Sequence, residues 1–262
     1  MITSKAQIRN QAKSLLKSVL ESILGKRMRV HRIPLGPIRG RKIFLSPQIS
    51  LRMWFGVDEP WIARLSQQLI DPGDVIYDLG AHVGYTTVLF AHHLQGTGEV
   101  HAFEILPSTA GHLQKTINAN GFQHVTIHVV GLGADNAVYN LPIGPTAMTS
   151  LLAKQQEGQK TEPGRVVRLD DYRREKDLPP PSLIKMDIER AEIDCLHGSL
   201  GLIGECRPKM IIAFHSKDLL RKGYDLLTSL DYQLYDQHSR LTPQDIEDLP
   251  SPFNNSILCL PD

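Results

Sequence analysis

Cysteine is scarce. Cys195, Cys206 and Cys259 are the only three in 262 residues, an odd number without metal-ligand spacing. This argues against a disulfide framework or a zinc site and fits a reducing cytoplasm, the expected location. No run approaches the roughly 18 apolar residues that would span a membrane. The N-terminus lacks an apolar stretch followed by a small-residue cleavage site, so no secretory signal is expected. There is no internal repeat. No nucleic-acid-binding motif is present, and no nucleic-acid partner is expected. The Gly-x-Gly-x-x-Gly fingerprint of dinucleotide binding is also missing.

What is present is a sizeable core: 41% of the residues are hydrophobic, as in a globular protein. The net charge of +1 hides an asymmetry. Residues 1–60 hold 12 Lys and Arg against 3 Asp and Glu, while the rest holds 17 against 25. Within the basic part, Ile8, Ala12, Leu15, Leu16, Val19, Leu20, Ile23 and Leu24 recur at spacings of three and four. That pattern predicts a helix over 4–24 with one apolar face. The face suits packing on the rest of the chain, on a second copy of it, or on a membrane surface, and a transit peptide would also be basic and acid-poor; all four stay open. A basic helical extension over 1–58 and a main domain over 59–262 are expected.

Residues 30–60 contain Pro34, Pro37, Pro47 and Pro60 and read as irregular or hairpin structure. A helix is expected over 59–70, capped near Asp58. Strands then alternate with helices. Strands are expected at 75–79, 99–103, 125–130, 183–186 and 210–214, and helices at 85–93, 108–120, 192–202 and 219–230. Short extra strands are expected at 137–143 and 166–169, a polar loop at 144–165, and a closing strand pair at 232–235 and 256–260. This alternation predicts a mostly parallel α/β sheet with helices on both faces.

The chemistry concentrates in Asp78-Leu-Gly80-Ala-His82-Val-Gly84-Tyr85. An apolar strand breaks there into a glycine turn and a helix, at the carboxyl edge where open α/β sheets bind ligands. The turn glycines free the backbone, and the helix start offers N–H groups to a carboxylate. Asp78 before the first glycine would repel a pyrophosphate but suits an ammonium or sulfonium. Glu104 follows Gly84 by 20 residues, the spacing of a carboxylate accepting both ribose hydroxyls. Together these favour S-adenosylmethionine over a dinucleotide. His215 ends the apolar strand 209–214 at the same edge. It is a candidate general base, with strand capping or binding of a cofactor carboxylate as the open alternatives.

Three stretches resemble the FkbM family of S-adenosylmethionine-dependent methyltransferases. They are Asp78–Tyr85 above, Val100-His-Ala-Phe-Glu104-Ile105-Leu-Pro107, and Leu183-Ile-Lys-Met-Asp187-Ile-Glu189-Arg190-Ala-Glu192. The resemblance implies a Rossmann-like class I methyltransferase fold, with a seven-stranded sheet whose last pair includes one antiparallel strand. It implies O-methylation of a sugar, glycolipid or other natural-product acceptor. Asp78, Gly80 and Gly84 would line the methionine end of the cofactor, with His82 and Tyr85 in the same turn. Glu104 would hold the ribose and Ile105 would flank the adenine. Asp187 would meet the methyl group or the acceptor, as a cofactor-binding and catalytic residue beside His215. Glu189 and Arg190 would face the substrate.

Two positions depart from the family pattern: His82 stands for the usual Asn, with a charge expected to vary near neutral pH, and Arg190 for the usual Gly. Asp187 with Glu189 or His215 is thin ground for a metal, and none is expected. The partner expected is a small-molecule or carbohydrate acceptor, and a homo-oligomer stays open. The rival readings are a non-enzymatic scaffold and an NAD-binding Rossmann-like protein. Nucleic-acid methylation would draw only on the basic extension, and the Asn-Pro-Pro-Tyr type of motif for amino-group methylation is absent.

Overall fold

Strand residues that alternate between two apolar environments set the architecture. In the computed structural model, which describes residues 22, 24, 25, 27–143, 160–250, 253 and 255–262, neighbouring residues of one strand join opposite cores. Ile76, Leu183 and Ile211 pack on one side of the sheet, and Tyr77, Ile184 and Ile212 on the other. Strands apolar on both faces belong at the centre of a sheet covered twice.

The chain opens with a hairpin of β1 (Arg29–Arg32) and β2 (Lys42–Leu45), then α1 (Leu51–Phe55) and α2 (Pro60–Leu69). There follow β3 (Val75–Leu79), α3 (Tyr85–Leu94), β4 (Glu99–Phe103), α4 (Pro107–Asn120) and β5 (Val125–His128). A small sheet comes next, from β6 (Gly131–Leu132), β7 (Ala137–Pro142) and β8 (Thr161–Val167). The remaining elements are α5 (Leu169–Lys176), β9 (Leu183–Met186), α6 (Glu192–His197), α7 (Leu200–Cys206), β10 (Lys209–Phe214), α8 (Lys217–Thr228), β11 (Tyr232–Tyr235), α9 (Pro243–Asp248) and β12 (Asn255–Pro261). The main sheet has seven strands in the order β11-β12-β10-β9-β3-β4-β5. All pairings are parallel except those of β12, which runs against both neighbours. This is the sheet that the resemblance implies. The order reverses between β3 and β9, which opens a crevice at their carboxyl ends.

The parallel strands and their crossover helices match the expectations closely, but several local readings change. The polar stretch expected as a loop to 165 ends in a strand from Thr161, paired antiparallel with β7. The helix expected over 192–202 is two helices, because Gly198 packs against the Gly133 carbonyl, where a Cβ would lie 2.0 Å from its oxygen. α2 is capped by the backbone of Glu59 (φ 44°) and not by Asp58. α5 was not expected because it buries only Leu169 and Tyr172. Thr242 and Asp245 form a capping box at the start of α9, a signal legible in the sequence.

The division expected at 58/59 crosses continuous packing. Ile33, Ile38, Ile43, Leu45 and Trp54 share one core with Trp61, Ile62, Val88 and Phe90. Thr116 on α4 fastens the hairpin to the glycine turn: its hydroxyl accepts from Phe44 N (2.9 Å) and donates to Val83 O (2.9 Å). The helix expected over 4–24 lies almost wholly outside the described residues, as does 144–159 of the expected loop. Among the described residues, no helix is long and apolar enough to cross a membrane.

Candidate active site

Three strand ends meet at one cavity of about 360 Å³, within the usual range of small-molecule sites, and a fourth ends just behind its wall. β3 runs into Gly80, β4 into Glu104, β9 into Asp187 and β10 into His215. Of the site residues named from the sequence, Gly80, His82, Tyr85, Glu104, Ile105, Asp187 and Glu189 line it. Asp78, Gly84, Arg190 and His215 do not.

Asp78 is the main correction. Its side chain is fully buried beneath the turn, and Oδ2 accepts from the Thr86 hydroxyl (2.9 Å) and the Thr87 hydroxyl (2.6 Å). Its other oxygen faces the Lys185 ammonium at 3.5 Å. The carboxylate therefore holds the turn together and offers no charge to a sulfonium. Gly84 is corrected likewise. A Cβ there would stand 2.5 Å from Leu113 Cδ1, so this glycine admits α4 and not a ligand. Gly80 does line the cavity, but a Cβ on it would strike the Asp187 carbonyl at 1.9 Å. Both glycines also have positive φ, at 83° and 93°, which other residues adopt at a cost.

Glu104 is 7% exposed. Its carboxylate accepts from His82 N at 3.0 Å and Leu106 N at 2.9 Å. Burial pushes the carboxyl up to about 7, against the partial relief of those amides and the Lys185 charge. Phe103, Ile105, Val130 and Leu132 form an apolar wall beside it. A buried acceptor next to an apolar wall fits the ribose and adenine of a nucleoside. His82 sits at φ 51°, a left-handed position that Asn tolerates well. That accounts for the usual Asn of the family pattern. Its charge does not vary near neutral pH as expected, because burial, aided by Lys185, lowers its pKa to about 4.

At the other end of the cavity, Asp187 and Glu189 face His215. Its Nε2 is 3.4 Å from Asp187 Oδ1 and 3.5 Å from Glu189 Oε2. Its Nδ1 lies 2.6 Å from Oε1 of Glu192, a fully buried carboxylate. Burial would lower the His215 pKa, but the Glu192 bond and the Asp187 and Glu189 charges outweigh it and hold it above the ordinary value. Burial raises the Glu189 carboxyl.

Sequence reasoning missed Lys185 and Glu192. Lys185 is 3% exposed, and its ammonium reaches Gly80 O (3.3 Å), Asp78 and Asp187 (3.7 Å). Burial would lower its pKa, yet Asp78, Asp187 and Glu59 hold it raised. A lysine inside an otherwise apolar strand was the available signal. Residues of the extension also reach the cavity: Ile49, Ser50, Met53, Asp58 and Glu59.

Arg190 is exposed and lies outside the cavity wall. Its φ is 77°, next to Glu189 at 51°, which explains why a glycine is usual there. Arg190→Gly should relieve strain of about 1–2 kcal/mol, less the added freedom of the unfolded chain. The net gain expected is up to about 1 kcal/mol, read from the urea midpoint. A loss would mean that the arginine side chain compensates for its backbone.

The methyltransferase FkbM domain matches residues 78–234. The crystal structure of an FkbM methyltransferase from Methylobacillus flagellatus KT superimposes with a TM-score of 0.51 at 19% identity, over 82% of this chain and 56% of that one. An S-adenosylmethionine-dependent O-methyltransferase of Thermotoga maritima gives 0.47 at 13% identity, over 78% of this chain and 65% of its own. A protein-L-isoaspartate O-methyltransferase of Aeropyrum pernix is 30% identical over 88 residues, 33% of this chain and 34% of its own length. The chain thus spans a third of that relative and just over half of the Methylobacillus one.

Proposed function

The chain belongs to the FkbM methyltransferase family and takes S-adenosylmethionine as its cofactor, and we propose that it methylates a hydroxyl of a sugar, glycolipid or other natural-product acceptor. The observation that carries this reading is the cavity lined by Glu104, Asp187 and Glu189, with the His215–Glu192 pair directly behind the last two. The cofactor supplies an activated methyl group on a sulfonium. Glu104 accepts the ribose hydroxyls, and Ile105, Val130 and Leu132 hold the adenine. Gly80, His82 and Tyr85 border the methionine end, and Asp187 borders the methyl group.

The acceptor enters at the Asp187–Glu189 end. A hydroxyl attacking a methyl group must lose its proton, and Asp187 and His215 form the basic end where that happens. Glu192 fixes the imidazole ring, with Nδ1 on its carboxylate and Nε2 toward Asp187 and Glu189. Alignment of the acceptor oxygen supplies much of the rate. Ile49 and Met53 offer the acceptor an apolar wall, while Asp58 and Glu59 offer acceptors for further hydroxyls. That mixture suits an amphiphilic, hydroxyl-bearing molecule. Residues 29–58 act in this reading as part of the acceptor wall. The relative from Aeropyrum pernix carries an O-methyltransferase name, which agrees with oxygen as the receiving atom.

Calorimetric titration with S-adenosylhomocysteine, with NAD as control, followed by an acceptor screen starting from sugars, tests the proposal. Binding of the first alone, with product formed from a hydroxylated acceptor, is expected. Binding of NAD, or turnover confined to amine acceptors, would overturn it. In the active protein, His215→Gln should lower turnover about 100-fold and leave S-adenosylhomocysteine affinity in place. Unchanged turnover would return His215 to a structural role at its strand end.

A further inference from the structure

We propose that Asp187, Glu189 and His215 bind one oxygen-preferring divalent cation, Mg²⁺ or Mn²⁺, at the acceptor end of the cavity. The inference deepens the proposed function and rests on the reading of that end as the place where the hydroxyl is received.

The first support is geometric. One ligand atom from each of the three residues lies within 4.8 Å of the others. His215 Nε2 stands 3.4 and 3.5 Å from the nearest oxygens of Asp187 and Glu189. Adjacent octahedral ligands of Mg²⁺, with bonds of about 2.0–2.1 Å, stand roughly 2.8–3.0 Å apart, so the three side chains would close in by about half an ångström around the ion. One imidazole with two carboxylates suits Mg²⁺ or Mn²⁺ better than a thiolate-seeking ion.

The second support lies behind the imidazole. Glu192 is fully buried, and its Oε1 receives the Nδ1 proton at 2.6 Å. Metal-binding histidines are held in this way, with the remote nitrogen on a carboxylate and the near one turned to the ion. The second Glu192 oxygen is buried without a hydrogen-bond partner among the described residues.

The third support is charge. Asp78, Asp187, Glu189 and Glu192 are four carboxylates around Lys185 and His215. With the neutral imidazole that a metal ligand requires, one cation faces four anions in a half-buried setting, and such an excess is costly unless it is matched. The cofactor carries one net positive charge, which still leaves an excess. A divalent cation closes the gap. Asp187 spans both halves, with Oδ2 toward Lys185 and Oδ1 toward His215.

Three protein ligands leave coordination positions open toward the cavity. An acceptor hydroxyl entering there would be held and made more acidic by the ion. Asp187 and His215 then act on the acceptor through the ion, and acceptors with two neighbouring oxygens are favoured.

The test is a Mn²⁺ titration of the purified protein, with free Mn²⁺ followed by electron paramagnetic resonance. One Mn²⁺ per chain is expected, displaced by excess Mg²⁺. Asp187→Asn, Glu189→Gln and His215→Gln should each weaken it at least tenfold, about 1.4 kcal/mol. Asp187 and Glu189 are both partly exposed, so their variants keep the test open should His215→Gln not fold. Glu104→Gln should bind Mn²⁺ as the parent does. No binding at millimolar Mn²⁺, or equal binding in Asp187→Asn and Glu189→Gln, overturns the site. Calorimetry with S-adenosylhomocysteine on the same preparations separates the two readings. Cofactor binding without Mn²⁺ removes the ion alone, and Mn²⁺ binding without cofactor removes the cofactor reading alone.

Discussion

Glu104→Gln is expected to lose at least tenfold in affinity for S-adenosylhomocysteine, about 1.4 kcal/mol or more, and to gain stability over the parent as the pH rises. Both effects have one origin. The carboxylate is buried with two amide donors already on it, and two ribose hydroxyls would complete its shell. Hydrogen bonds to a charged group contribute about 1.5–3 kcal/mol each, and an amide that brings N–H groups of its own cannot accept both.

Without the cofactor the same charge is a burden. Burial lifts the folded-state pKa from its ordinary 4.5 to about 7, so the folded protein holds this proton more tightly than the unfolded chain. The stability from Glu104 is full below about pH 4.5 and is lost as pH rises through about 7, amounting to about 3 kcal/mol in all. Glutamine has no such slope. Urea denaturation from pH 5 to 8 should show the difference between variant and parent growing with pH in favour of the variant. Cofactor binding needs the carboxylate, so parent affinity should rise from pH 6 to 8 with proton release, and the variant should show neither. Identical pH dependence in the two proteins would refute the assignment.

Asp78→Ala should cost about 3–5 kcal/mol of stability, the usual cost of removing one partner of a buried ion pair. It would leave the Lys185 ammonium with Gly80 O and Asp187, and the Thr86 and Thr87 hydroxyls without their shared acceptor. Domains in general are stable by only about 5–15 kcal/mol, so a poor yield of folded protein is part of the expectation. Asp78→Asn keeps an acceptor for the threonines and should fall between. Combined with Lys185→Met, it should cost less than the two single changes summed, because neither charge is then orphaned. A shift of Asp78→Ala within about 0.5 kcal/mol, as for an ordinary surface change, would show that Asp78 is not the keystone of the turn.

Local patterning and spacing were enough to make the sheet legible. Apolar runs ending in Gly80, Glu104 and Asp187 mark parallel strands, because a strand buried on both faces must be apolar throughout. The 20 residues between Gly84 and Glu104 carry the chain through one helix and back to the next strand. The cofactor class follows from that spacing. The roles of individual acids do not. Asp78 and Glu104 look alike in sequence, as acids closing apolar strands. One points under the turn onto Thr86, Thr87 and Lys185, and the other faces the cavity.

Lys185 and Glu192 stayed hidden for the same reason. Their partners are 107 and 23 residues away in the chain, at Asp78 and His215. The wall formed by Ile49–Glu59 likewise depends on a hairpin docked through Thr116. The sequence by itself determined the order of strands and helices, the family and the cofactor, all properties of short-range pattern. Only the tertiary structure decided which carboxylates meet a ligand and which meet a lysine. Desolvation and pairing energies depend on distances of a few ångströms between strand ends, and no spacing along the chain records them.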